Sequence, residues 1–208
     1  MKTSSFLKAL GLALALGSVS AAAIALPWTV QLNNAAGKPL AGAAVAIELQ
    51  GRASKVSAAK PVSAEMGQRE RQFQPTLLIV QTGTAVNFPN FDVVRHHVYS
   101  FSPIKVIDIK LYSGTPSEPI VFDKPGVAAL GCNIHDRMSA HIIVVDTPVF
   151  AITDASGRAS FELPAGEHRV KAWHPSLKAL TLQGLPQAIN VPGNAPSTGG
   201  HSSLTLAE

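Results

Sequence analysis

The segment Gly131-Cys132-Asn133-Ile134-His135-Asp136-Arg137-Met138 decides how this chain is to be read. Cys132 is the only cysteine among 208 residues. A lone thiol has no internal partner for a disulfide, and outside the cytoplasm an exposed one is open to oxidation. Many lone cysteines are simply small buried hydrophobes, so the neighbours decide. His135 stands three residues on and Met138 six, and Arg95-His96-His97-Val98-Tyr99-Ser100-Phe101 offers a second imidazole upstream. A thiolate, two imidazoles and a thioether make the donor set of a trigonal copper site with a weak axial sulfur. Zinc suits the set less well, because a thioether is a poor zinc ligand. A lone Met usually packs a core and a lone His usually sits at a surface. The combination carries the metal reading.

Strand-like sequence flanks the loop. Val, Ile and Thr recur in short runs, Gly and Pro are frequent (16 and 15 residues), and aromatics make up only 6%. Such texture predicts an all-β chain of many short strands and turns. Successive residues of a strand face opposite sides, so only one of His96 and His97 can face a given metal ion.

The loop resembles the C-terminal ligand loop of the cupredoxins, the plastocyanin/azurin family, and its Cys-x-x-His-x-x-Met form is similar to that of amicyanin. Other segments share the likeness: Phe122-Asp123-Lys124-Pro125-Gly126 before the cysteine strand, Ile142-Ile143-Val144-Val145-Asp146 after Met138, Phe73-Gln74-Pro75 to Val80, and Gly83 to Phe88. Together they span roughly residues 66 to 147. HHVYSFS and LGCNIHDRM also resemble bacterial proteins labelled methylamine utilization protein, a label for a genetic neighbourhood more than for a reaction. The resemblance implies a Greek-key β-sandwich holding one type 1 copper ion. In the family the upstream ligand follows an opening Asn by six residues and precedes a Val by two. Counting from Asn90 gives His96, with His97 as the alternative. His97 would then take the place of a family Asn whose side chain bonds across to the cysteine loop. His135 would be the solvent-edge ligand through which electrons pass. Leu130 departs from the pattern, where an aromatic is usual.

A second resemblance frames the first. Asn34 to Ala43 is similar to the opening of small transthyretin-like or carboxypeptidase-regulatory β-sandwiches. Their usual continuation is met only at Thr153-Asp154-Ala155-Ser156-Gly157 through Val170. The expected organisation is a signal peptide at 1–25, the first part of a small β-sandwich at 27–50 and a linker at 51–65. The copper domain follows at 66–147, the second part of the small sandwich at 148–193 and a flexible tail at 194–208. Serial order, with a β extension after the copper domain, is the alternative. Ile104 to Pro119 reads as an irregular excursion, His141 as solvent-facing, and His174 and His201 as structural or surface residues.

Lys2 and Lys8, the apolar run Ala9 to Leu16 and the small residues up to Ala25 fit an export signal, with Ala21 and Ala23 as other cleavage points. The run is too short for a membrane span. Its removal takes two lysines and no acids, lowering the formal charge from +4 to +2. So small a charge predicts neither nucleic-acid nor membrane-surface binding. The expected activity is periplasmic one-electron transport between redox partner proteins. Copper binding or delivery without electron transfer is the alternative. An enzyme using Cys132 as nucleophile and His135 as base is disfavoured, since three residues along a loop is not the spacing that pair needs and Met138 would be left unexplained.

Overall fold

Alternating burial turns most of this sequence into strands. The computed structural model describes residues 25–50, 63–177, 180–185, 187–194 and 198–207, and every regular element among them is a strand. The protein is all-β. No helix among the described residues is long and apolar enough to cross a membrane. The expected signal segment lies outside the described residues except for Ala25, and so do residues 51–62 of the expected linker.

Strands β1 (Ala25–Asn34) and β2 (Ala44–Leu49) come before the linker. β3 (Ala64–Glu65) then pairs with β7 (Thr84–Asn87), which also pairs with β10 (Ile120–Phe122). The end of the expected linker is therefore already strand. β4 (Gly67–Arg69) and β5 (Gln72–Gln74) form a hairpin closed by Glu70 and Arg71. The central sheet runs β6 (Leu77–Gln81), β12 (Ser139–Val145), β11 (Gly126–Cys132), β8 (His96–Ser102) and β9 (Lys105–Tyr112). β9 occupies the first half of the segment expected to be irregular, Ile104 to Pro119. Its sequence lacks clean alternation because, as an edge strand, only Ile107 is fully buried.

Burial along β12 shows how the central sheet is used. Ile142 and Val144 point into one core with Phe73, Phe88, Phe122, Ala128, Leu130, Cys132 and Met138. Ile143 and Val145, with Leu77 and Val127, point into a second core on the opposite face. A strand covered on both sides reads as an unbroken apolar run rather than an alternating one, which explains Ile-Ile-Val-Val. Cys132 shares its face with Ala128 and Leu130, at a spacing of two.

The second core belongs to strands from both ends of the chain. β1 pairs with β14 (Arg158–Pro164) and with β18 (Gly200–Leu206). β2 pairs with β13 (Phe150–Ile152) and β15 (Gly166–Trp173); β15 also pairs with β16 (Gln183–Gly184) and β17 (Ile189–Val191). The segments read as halves of one module meet directly: Ala43 N–H donates to Thr153 Oγ1, and that hydroxyl donates to the Leu40 carbonyl.

Two expectations are corrected here. Residues 200–206 are not a flexible tail. Leu204 and Leu206 alternate with exposed His201, Ser203 and Thr205, and the strand runs parallel beside β1. Nor does His141 face solvent freely: it is half-buried. Its ring lies 4.6 Å, centroid to centroid, from that of buried Trp173. Burial holds the His141 pKa below its ordinary range, so the folded chain favours the neutral ring. As pH falls below about 6.5, the unfolded chain takes up a proton that the folded chain resists. Stability contributed here is present above that pH and is lost as pH falls through the folded value. His141→Gln should therefore flatten the decline in stability below about pH 6.5 in denaturant titrations. An unchanged pH profile in the variant would remove His141 from this role.

Candidate metal centre

Cys132 ends β11, and the chain then turns twice. His135 N–H donates to the Cys132 carbonyl (3.4 Å) and Met138 N–H to the His135 carbonyl (2.9 Å). Bonds spanning three residues bring every third residue onto one side of the turn, which is what the three-and-three spacing needs. Cys132 N–H, bonded to the Met138 carbonyl at 3.2 Å, closes the loop. Asn133, Ile134, Asp136 and Arg137 are exposed, whereas Met138 is 1% exposed and shares the apolar core and a surface cleft with Cys132.

His96 opens β8 and is fully buried. The β8–β9 register shifts between His96 and Val98, a bulge of the kind that re-aims side chains near functional sites. His96 turns inward with Val98, while the outward-turned His97 ring bonds Asp108 at 2.6 Å. The imidazole expected to reach the cysteine loop does not do so. The His97 backbone carbonyl makes that link instead, accepting from Asn133 N–H at 3.2 Å.

Three donor atoms converge. His96 Nδ1 and His135 Nδ1 are 3.2 Å apart, and Cys132 Sγ lies 3.7 Å from the first and 3.5 Å from the second. Imidazole nitrogens and a thiolate about 2.0–2.3 Å from a shared ion, at angles between tetrahedral and trigonal, stand roughly 3.2–3.7 Å from one another. The triangle fits one metal ion, and its nitrogen–sulfur composition suits copper. It also revises the argument against a nucleophile–base pair, because the turn does bring Cys132 within reach of His135. What speaks against that pair is the second imidazole on the same sulfur and the burial of Cys132, 5% exposed.

The surroundings hold His96 firmly. Its Nε2 lies 2.8 Å from Asp92 Oδ2. Burial acts to raise the Asp92 pKa, but bonds from Arg71 N–H, His96 and Glu70 N–H outweigh it and hold the carboxyl below the usual carboxylate range. Behind the strand, the Tyr112 hydroxyl donates to the Phe88 carbonyl at 2.7 Å and accepts from the buried Gln68 amide. Burial pushes the Tyr112 phenol up to about 12. Sequence alone does not mark Asp92 for a role. Its position four residues before His96 was visible, but in a loop that spacing carries no fixed geometry.

His174 and His201 lie away from this cluster. The His174 ring bonds Ser176 Oγ and the Ala41 carbonyl, and His201 is exposed on β18. No protein-family model matches the sequence, and no curated protein does. Among solved structures, a purple cupredoxin from Nitrosopumilus maritimus is 21% identical, over 40% of this chain and 99% of its own, with a TM-score of 0.34. Amicyanin from Paracoccus versutus is 19% identical, over 49% of this chain and 97% of its own, with a TM-score of 0.37.

Proposed function

We propose that this chain is a periplasmic type 1 copper protein that carries single electrons between redox partner proteins. One copper ion would be held by His96, Cys132 and His135, with Met138 supplying a further, weaker sulfur donor. The observation carrying this reading is the triangle of His96 Nδ1, His135 Nδ1 and Cys132 Sγ. A copper ion in such a cage supplies a one-electron couple. The protein's part is to keep the donors still. Cys132 and His96 stand on neighbouring strands of one packed sheet, and His135 is fixed by two backbone bonds of the turn. Little rearrangement on redox change would follow. His135 is only partly buried and adjoins Ile134, 49% exposed, so this edge is where a redox partner would dock.

Burial of His96 and Cys132 supports retention of the metal over its release to an acceptor. The basic and apolar N-terminal stretch supports export. Pairing of β1 and β2 with β13, β14 and β15 supports reading 66–147 as an insertion in a loop of the small sandwich. Insertion of this kind is tolerated where the inserted termini lie close together. Adding Cu(II) to the mature protein should give an intense blue band that bleaches and returns reversibly with reductant and oxidant. A pale complex that yields its copper to a competing acceptor and does not cycle would favour the delivery reading.

A further inference from the structure

Resting on that copper reading, we infer that Asp92 is a positioning residue of the metal centre. Anchored by the turn of a neighbouring hairpin, its carboxylate fixes the tautomer and ring plane of His96. An ionised carboxylate only accepts hydrogen bonds. The 2.8 Å contact from Asp92 Oδ2 to His96 Nε2 therefore places the ring proton on Nε2. A neutral imidazole protonated there presents its lone pair at Nδ1, the atom that faces Cys132 Sγ and His135 Nδ1.

Asp92 is itself held from two sides. Its Oδ1 accepts Glu70 N–H at 2.7 Å and its Oδ2 accepts Arg71 N–H at 3.0 Å. Glu70 and Arg71 have φ of 54° and 58°, so both residues of the β4–β5 loop are left-handed. A two-residue hairpin loop of this hand suits strand twist, but ordinary side chains disfavour it and Gly or Asn usually fills it. Here two unfavourable residues aim consecutive N–H groups at one carboxylate. On the other side Asn90 staples the loop: its Oδ1 accepts Asp92 N–H (2.9 Å), and its Nδ2 donates to the Val94 and Tyr112 carbonyls. The hairpin turn thereby becomes a strut of the metal centre, although it contributes no ligand. Carboxylates on the far nitrogen of a ligating His serve this purpose in other metal sites.

A carboxylate that merely capped the hairpin would affect melting and nothing else, so the test reads the imidazole directly. Ring 15N shifts of His96 would be recorded in metal-free wild type, Asp92→Asn and Asp92→Ala, in alkaline buffer. Wild type should show the Nε2–H tautomer. Asp92→Asn, which keeps an accepting oxygen, should retain it. Asp92→Ala should show a tautomer mixture. In the copper-loaded proteins, Asp92→Ala should lose about 10–100-fold in Cu(II) affinity. Its reduction potential should rise, because a negative charge beside the ring favours Cu(II); Asp92→Asn should fall between. Glu70→Gly and Arg71→Gly relax the turn while keeping the carboxylate and both N–H donors, and should leave the tautomer unchanged. The inference is overturned if Asp92→Ala keeps the wild-type tautomer, or if its Cu(II) affinity and potential match wild type while only melting changes. Should wild type bind no copper, the functional reading fails, and the metal-free tautomer measurement still decides the role of Asp92.

Discussion

Cys132→Ser is expected to abolish the blue band entirely while leaving a folded, nearly isosteric protein. Intense visible absorption at such a centre is a charge transfer from thiolate sulfur to Cu(II). A serine oxygen is harder, binds this metal less well and moves the transition out of the visible. Side-chain volume barely changes, and Cys132 sits at the end of β11 with its N–H already bonded to the Met138 carbonyl. Backbone geometry should therefore survive, and far-ultraviolet circular dichroism should match wild type. Any copper held by His96 and His135, whose Nδ1 atoms are 3.2 Å apart, should form only a pale site with ordinary Cu(II) resonance. A Cys132→Ser protein that remains blue would remove the sulfur from the site and, with it, the proposed function.

The central sheet and the turn that carries Cys132, His135 and Met138 were legible in the sequence for a definite reason. Soft donors are scarce in this chain, so a cysteine with His at +3 and Met at +6 stands out against any background. The turn that unites them needs only the local bonds His135 N–H to Cys132 and Met138 N–H to His135. Strand alternation separated His96 from His97, and the structure turns them to opposite sides. What His97 does with its ring was not legible, because Asp108 comes from the next strand and a bulge sets the register. Asp92 was hidden for a similar reason. Its meaning depends on a hairpin turn some twenty residues upstream whose left-handed residues, Glu70 and Arg71, carry no Gly or Asn to announce them. Burial of His141 depends on Trp173, from a segment that the sequence separates from the metal loop.

Leu204→Ala with Leu206→Ala should nearly unfold the protein, whereas His201→Ala with Thr205→Ala should leave it unchanged. Gly, Ser and Thr dominate the composition around these residues, which is why a flexible tail was expected. Yet Leu204 and Leu206 are 2% and 1% exposed in the same core as Trp28, Val30 and Leu32 of β1. Trp28 ties the strand down further, donating from Nε1 to Ser202 Oγ at 3.0 Å. Its ring also lies against Gly200, where an added Cβ would come within 2.5 Å of it. Each buried Leu→Ala change costs about 2–5 kcal/mol, so the pair removes roughly 4–10 kcal/mol from a total typically about 5–15. Outward-facing substitutions away from special features change stability by less than about 0.5 kcal/mol. The effect should reach the metal centre, because Leu77, Val127, Ile143 and Val145 of the central sheet share this core. The sheet that carries Cys132 and His96 thus rests one face on it. Blue colour in the leucine variant should accordingly be lost on heating together with the fold, and well below the wild-type temperature. Equal melting of the two variants would return residues 200–206 to the status of a tail.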